Sequence, residues 1–239
     1  VVKEVSEITP SEKQKEAIQM VNENNVTIIT GGPGTGKTTI IKTIIDLYKS
    51  IGKKAVLCAP TGRAAKRMTE ATGEEAKTLH RLLEIRKGEE IPDTDLSVAP
   101  IDANIVIIDE MSMVDIFLMN YVLNALYKGT KLVLVGDVDQ LQSVGPGRVL
   151  KDFIQSEKIP YIALNKIFRQ AAKSKIIVNA HRVNEGEGFL TKEETAEDAK
   201  NDFFYVNEQS PETILKQVIS LCTGRLKKYG NYDFFKNIQ

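Results

Sequence analysis

Apolar positions follow two rhythms along the chain. Short β-branched runs at Val26 to Thr30, Lys54 to Ala59, Asn104 to Ile108, Lys131 to Val135 and Ile159 to Ala163 are apolar on both faces and read as buried strands. Between them, at Lys37 to Ser50, Gly62 to Ala71, Asp115 to Leu126 and Arg148 to Ser156, apolar residues recur at helical spacing. Strands alternating with helices need crossovers, so the pattern predicts an α/β fold with a mainly parallel sheet flanked by helices.

The rhythm weakens towards the end of the chain. A helix is predicted around Ser174 to Glu185, then an acidic polar stretch from Glu185 to Lys200, a strand at Phe203 to Val206 and a helix near Glu212 to Lys227. The segment Leu79 to Pro100 carries charge, two prolines and little periodicity, so it reads as a surface excursion with room for a short hairpin.

Each of the first four strands runs at its carboxyl end into a loop of Gly, Pro or acidic residues: "GGPG", "PTGR", "DEMS" and "GDVDQ". Open α/β sheets bind ligands at that edge. The first loop carries the sharpest chemistry. Gly31 to Thr38 fits G-x-x-x-x-G-K-[ST] between a predicted strand and a predicted helix, as a phosphate-binding loop must. Its backbone N–H groups, with the free amides opening the helix, would wrap the β-phosphate. The nucleotide cradle is therefore expected at Gly32, Pro33, Gly34, Thr35, Gly36, Lys37, Thr38 and Thr39. Lys37 would reach the β and γ phosphates and Thr38 would ligate Mg²⁺.

In "NIVIIDEMSM", Asp109 and Glu110 close an apolar strand where two carboxylates serve no packing purpose. Asp109 would hold Mg²⁺, and Glu110 would take a proton from the attacking water. One strand later Asp137 and Gln140 repeat the arrangement, and Gln140 could sense the γ-phosphate or orient water. Arg169 in "NKIFRQ" offers a planar guanidinium for developing phosphoryl charge.

Composition narrows the classes further. The 239 residues, 42% apolar and 27% charged, are ordinary for a globular protein, and no apolar run nears the roughly 18 residues of a membrane span. Lys plus Arg (32) equals Asp plus Glu (32), so affinity for nucleic acid must come from local placement. Cys58 and Cys222 lack metal or disulfide spacing and read as reduced core residues of a cytoplasmic protein. The chain begins at Val1 without a secretory signal, and reads as a piece of something longer.

Taken in order, "GGPGTGKTT", "APTGRAAKRM", "KTLHRLL", "IVIIDEMSMVD", "LVLVGDVDQLQSVGPGRVL" and "LNKIFRQ" resemble superfamily 1 DNA helicases, most closely the RecD-like branch. The resemblance covers roughly Ile8 to Gly186. It implies the first of two RecA-like P-loop NTPase lobes, 1–186, with a duplex-splitting hairpin near 79–100 and an extension, 187–239, leading towards a second lobe. It further implies that Gln14 reads adenine, that Gln140 and Arg169 contact the γ-phosphate, and that Pro60, Thr61, Arg63, Thr78 and His80 line a single-stranded DNA track. The implied activity is ATP-driven 5′ to 3′ movement on single-stranded DNA in recombination or repair. Gln142 stands where the family usually has proline, and the later motifs of the second lobe are missing, so nucleotide binding without efficient turnover is expected.

Two other classes fit parts of the pattern. A nucleotide or small-molecule kinase would share the loop, but Glu110 beside Asp109 argues against an enzyme that must exclude water. In a nucleotide-dependent switch of a protein contact DNA is irrelevant, and the "PTGR" and "TLH" loops separate the two: Thr61→Ala with Arg63→Ala should abolish DNA stimulation in a helicase and leave a switch untouched.

Overall fold

The computed structural model describes residues 11–85, 98–190, 202–230 and 232. Six parallel strands form one sheet in the order β3-β2-β4-β5-β1-β6: β1 (Val26–Gly31), β2 (Ala55–Ala59), β3 (Ala76–Thr78), β4 (Ile105–Ile108), β5 (Lys131–Gly136) and β6 (Tyr161–Leu164). The predicted α/β architecture is present, and all five predicted strands appear within two residues of their expected bounds.

Alternation along the strands sends side chains to two cores. Ile29, Leu57, Ile105, Ile107, Val133 and Val135 pack with α1 (Glu12–Glu23), α2 (Lys37–Ser50) and α3 (Gly62–Thr72). Ile28, Cys58, Val106, Ile108, Leu132 and Leu134 pack on the other side with α5 (Ile116–Ala125) and α6 (Val149–Gln155). Helices on both faces leave the sheet's carboxyl edge as the open rim. Cys58 is wholly buried, and desolvation pushes its thiol well above the ordinary range. Both cysteines are free, but Cys222 is partly exposed rather than in the core.

Helix α1, which periodicity alone did not suggest, starts at a capping box. Ser11 Oγ accepts the Gln14 N–H at 3.3 Å, and Gln14 Oε1 accepts the Ser11 N–H at 2.8 Å. At its far end Lys131 Nζ donates to the carbonyls of Val21, Asn22 and Asn24 at 3.2, 3.1 and 2.6 Å, satisfying groups the helix cannot pair itself.

Three expectations need correction, and one element, the edge strand β3, is unexpected, since three residues are too few to show a period. The start of the supposed surface excursion belongs to the core. There Thr78 caps the short helix α4 (Leu79–Leu82), and Leu79 and Leu83, one turn apart, are buried. Residues 203–206 form no strand, and their rings pack on Phe189 instead, at centroid distances of 5.6 Å for Phe203 and 5.5 Å for Tyr205. The last predicted helix is divided into α9 (Pro211–Ser220), a π turn Leu221–Arg225 containing Gly224, and α10 (Leu226–Gly230). The hairpin expected inside 79–100 falls on 86–97 and lies outside the described residues. Between β6 and residue 202 lie α7 (Arg169–Ala172) and α8 (Lys175–Asn184). Among the described residues no helix is long and apolar enough to cross a membrane.

Candidate active site

Strand β1 delivers the loop Gly32 to Gly36 to the first turn of α2. Gly34 and Gly36 lie at φ 75° and 85°, a left-handed backbone that L side chains rarely adopt. This conformation turns successive N–H groups to one side as an anion-binding nest, ahead of the free amides of Lys37, Thr38 and Thr39. Thr35, only 2% exposed, braces the loop from within by donating its hydroxyl to Gly32 O at 2.8 Å.

Lys37 Nζ donates to Gly31 O at 2.5 Å and Gly32 O at 3.0 Å. Burial lowers its pKa, while Asp137, Asp109 and Glu110 oppose that shift electrostatically. The lysine and the three acids therefore lie within electrostatic reach of one another, although they come from α2 and from the ends of β4 and β5.

Asp109 continues the ladder, its N–H donating to Cys58 O at 3.0 Å. Burial raises its carboxyl pKa, and the Glu110 N–H, donated to Asp109 Oδ1 at 2.9 Å, only partly offsets this. Glu110 adopts φ 55°, ψ 42° as the chain enters the 3-10 turn Met111–Met113. A non-glycine residue held there is strained, and such strain collects at functional positions.

Asp137, 5% exposed, accepts the Asp139 N–H at 3.0 Å, and Gln140 is exposed beside it. Ser112 Oγ meets Gln140 Oε1 at 3.4 Å, linking the turn after β4 to the loop after β5. Thr30 Oγ1 accepts the Val138 N–H at 3.2 Å and joins that loop to β1. Arg169 opens α7, whose preceding residue Phe168 donates its N–H to Gly34 O at 3.2 Å.

Gln14 is buried against the same loop, its Nε2 donating to Gly36 O at 3.5 Å while its Oε1 holds Ser11. The other group of expected residues sits on the same rim at the ends of β2 and β3, with β5 and β4 between them and the loop. Ala59 pairs with Thr78, so Pro60, Thr61 and Arg63 lie beside Thr78 and His80. Thr61 accepts the Ala64 N–H at 3.3 Å and Thr78 the Arg81 N–H at 3.2 Å, each as a helix N-cap. Arg63 and His80 are exposed.

Sequence reasoning missed three contributors: Ser112, the Phe168 main chain and His181. The ring of His181 meets Pro33 O through Nε2 at 3.1 Å. Its distance of 148 residues from the loop hid it, although the apolar stripe of α8 shows which residues share its face.

The donor set fits a nucleotide with Mg²⁺. A nest of N–H groups suits phosphate, and a desolvated carboxylate at Asp109 with the Thr38 hydroxyl suits a hard cation that also takes phosphate oxygens. Among the described residues no group of three or more His, Cys, Asp or Glu could hold a metal alone.

A parallel sheet carrying this loop at its carboxyl edge defines a RecA-like P-loop α/β lobe. The chain belongs to the AAA domain family, whose pattern matches residues 14–146, more than half of its length. It is 42% identical over 177 residues to the ATP-dependent RecD2 DNA helicase of Deinococcus radiodurans, covering 74% of this chain and 24% of that one. It is 32% identical over 247 residues to the RecBCD enzyme subunit RecD of Mycobacterium tuberculosis, covering 92% and 42%. Unliganded Pif1 from Bacteroides sp is similar in structure, with TM-score 0.51, 26% identity, and 69% of this chain and 43% of that one covered. So is the Pif1 helicase from Candida albicans, with TM-score 0.51, 27% identity and coverage of 68% and 41%. The resemblance to the RecD-like branch of superfamily 1 helicases therefore holds across sequence and fold. The chain spans less than half the length of these relatives.

Proposed function

We propose that the chain is the first motor lobe of an ATP-dependent DNA helicase or translocase, working in the cytoplasm in recombination or repair and moving 5′ to 3′ on single-stranded DNA. The observation that carries this reading is that one sheet rim holds both the Lys37 loop after β1 and the Asp109 and Glu110 pair after β4, whose neighbours β2 and β3 lead into the capped turns at Thr61 and Thr78. Gly32 to Thr39 cradle the phosphates. Lys37 leaves its carbonyl partners for phosphate oxygens. The spare N–H and lone pair of Gln14 are what an adenine edge would use. Thr38 and Asp109 hold Mg²⁺, which when bound neutralises charge on the β and γ phosphates. Glu110 accepts the proton of the attacking water, and Gln140 and Arg169 answer to the γ-phosphate. Pro60, Thr61, Arg63, Thr78 and His80 grip DNA phosphates, so binding is salt-sensitive and sequence-tolerant.

Residues 1–186 form this lobe, and 187–239 lead to a second RecA-like lobe that completes the site and the track. The test uses the longest natural chain that contains this sequence and measures ATP hydrolysis with and without single-stranded DNA, with Lys37→Ala as the blank. Strong stimulation by DNA is expected, with Glu110→Gln binding ATP but not hydrolysing it. Unwinding of duplexes tailed at one end only reads the direction. Turnover indifferent to DNA would leave a nucleotide-dependent switch.

A further inference from the structure

The phosphate loop is shaped by what holds its carbonyls. Lys37 Nζ holds Gly31 O and Gly32 O, the Phe168 N–H holds Gly34 O at 3.2 Å, and Gln14 Nε2 holds Gly36 O at 3.5 Å. The Thr35 hydroxyl also holds Gly32 O at 2.8 Å and the Ile40 N–H holds Gly36 O at 3.2 Å, while Pro33 O is met by His181, whose Nε2 lies 3.1 Å away. A carbonyl can only accept, so Nε2 carries the proton of this bond.

A planar trans peptide points its C=O and its N–H in opposite directions. Each carbonyl pulled outward therefore aims an N–H inward. The Phe168 bond directs the Thr35 N–H, the first turn of α2 together with Gln14 directs the Lys37 N–H, and the His181 bond directs the Gly34 N–H. Gly34 sits at φ 75°, in the bend of the nest, where its peptide has no strand or helix to orient it.

Helix α8 is anchored well enough to act as a fixed support. Ser174 caps its start, and the Asp202 carboxylate accepts the N–H groups of Lys175 at 2.8 Å and Ile176 at 3.4 Å. Asn179, 2% exposed, exchanges two hydrogen bonds with the Leu190 main chain, at 3.3 and 2.7 Å. Ile177 and His181, one turn apart, share the face turned to the loop. A Cβ on Gly32 would lie 2.5 Å from His181 Cε1, and one on Gly34 would lie 3.4 Å from Ile177 Cγ2. The loop glycines thus admit α8 on one side as well as phosphate on the other.

We infer that His181 is a positioning residue of the nucleotide site: its imidazole, held on α8, fixes the Pro33 to Gly34 peptide so that the Gly34 N–H faces the β-phosphate of a nucleoside di- or triphosphate. This inference rests on the nucleotide-binding reading proposed above.

The experiment is calorimetric titration of Mg²⁺ and ADP into the 239-residue chain, comparing wild type, His181→Phe, His181→Gln and Lys37→Ala, with melting curves to establish folding. His181→Phe keeps the ring but not the donor, and should bind ADP about 3- to 10-fold more weakly. His181→Gln places an N–H the same number of bonds from Cα and should recover most of the loss. If wild type binds no better than Lys37→Ala, the nucleotide reading itself fails and takes this inference with it. If wild type binds and His181→Phe matches it, the positioning role alone is overturned. It is equally overturned if the folded glutamine variant is as weak as the phenylalanine one.

Discussion

At the scale of single residues, the site is built from groups that the fold would be more stable without. Burial raises the Asp109 carboxyl pKa above the ordinary aspartate range. A group whose folded pKa lies above its unfolded one contributes stability below the unfolded pKa, and loses it as pH rises through the folded value. At neutral pH the ionised Asp109 is therefore a cost in the nucleotide-free chain. Asp109→Asn keeps an oxygen for the Glu110 N–H and removes the charge. It should raise the melting temperature at pH 7 by about 2–4 °C, with the gain closing as pH falls towards 4. The same substitution should abolish the dependence of ADP affinity on Mg²⁺. Melting curves over pH and titrations with and without Mg²⁺ check both halves, and a variant that melts lower than wild type at pH 7 would contradict the argument. Such residues were legible in the sequence because nothing else explains them: two adjacent acids ending an apolar strand, and a lysine among glycines. His181 was not legible, since a histidine in an amphipathic helix says nothing about which distant carbonyl it will meet.

At the scale of elements, legibility followed length and periodicity. Helix α2 and strands β1, β4 and β5 declared themselves because packing on both sides demands long apolar stripes. The three-residue β3 could not, because its position depends on pairing with β2 rather than on its own side chains. The pairing matters for function, since it sets Thr78 beside Ala59 and so brings two capped helix starts together on the rim. The capping role and the proposed DNA contact of Thr61 can be separated. Aspartate is as good an N-cap as threonine and suits the positive end of a helix, whereas its charge would repel a DNA phosphate. Thr61→Asp should leave the melting temperature within a degree or two of wild type and weaken single-stranded DNA binding by tenfold or more, on the order of 1.4 kcal/mol. Thr61→Ala should instead lose about 1 kcal/mol of stability through the missing cap. Fluorescence anisotropy with a labelled oligonucleotide, beside thermal melts, distinguishes the two. Unaltered DNA affinity in Thr61→Asp would reduce Thr61 to a cap.

At the scale of the whole molecule, one apolar stripe departs from the pattern. The apolar faces of α1, α2, α3 and α5 pack into the two cores, but α9 buries none of its residues, and Ile214, Leu215, Val218 and Ile219 stand 43–60% exposed along it. Their spacing is that of a core-facing helix. Phe204, Tyr205 and Val206, just before it, are exposed as well. Proteins seldom leave such a patch uncovered, and on the reading proposed above its cover is the second lobe. That makes the consequence of a charge on this face depend on chain length. Ile214→Asp with Val218→Asp should leave the melting temperature of the 239-residue chain nearly unchanged, because surface substitutions away from packing cost within about 0.5 kcal/mol. In a chain that carries the proposed second lobe the same pair should be severely destabilising, since two carboxylates would then be buried without partners. Equal effects in both chains, large or small, would show that α9 takes no part in a second core, and the boundary of the motor lobe would have to be drawn beyond Gly230.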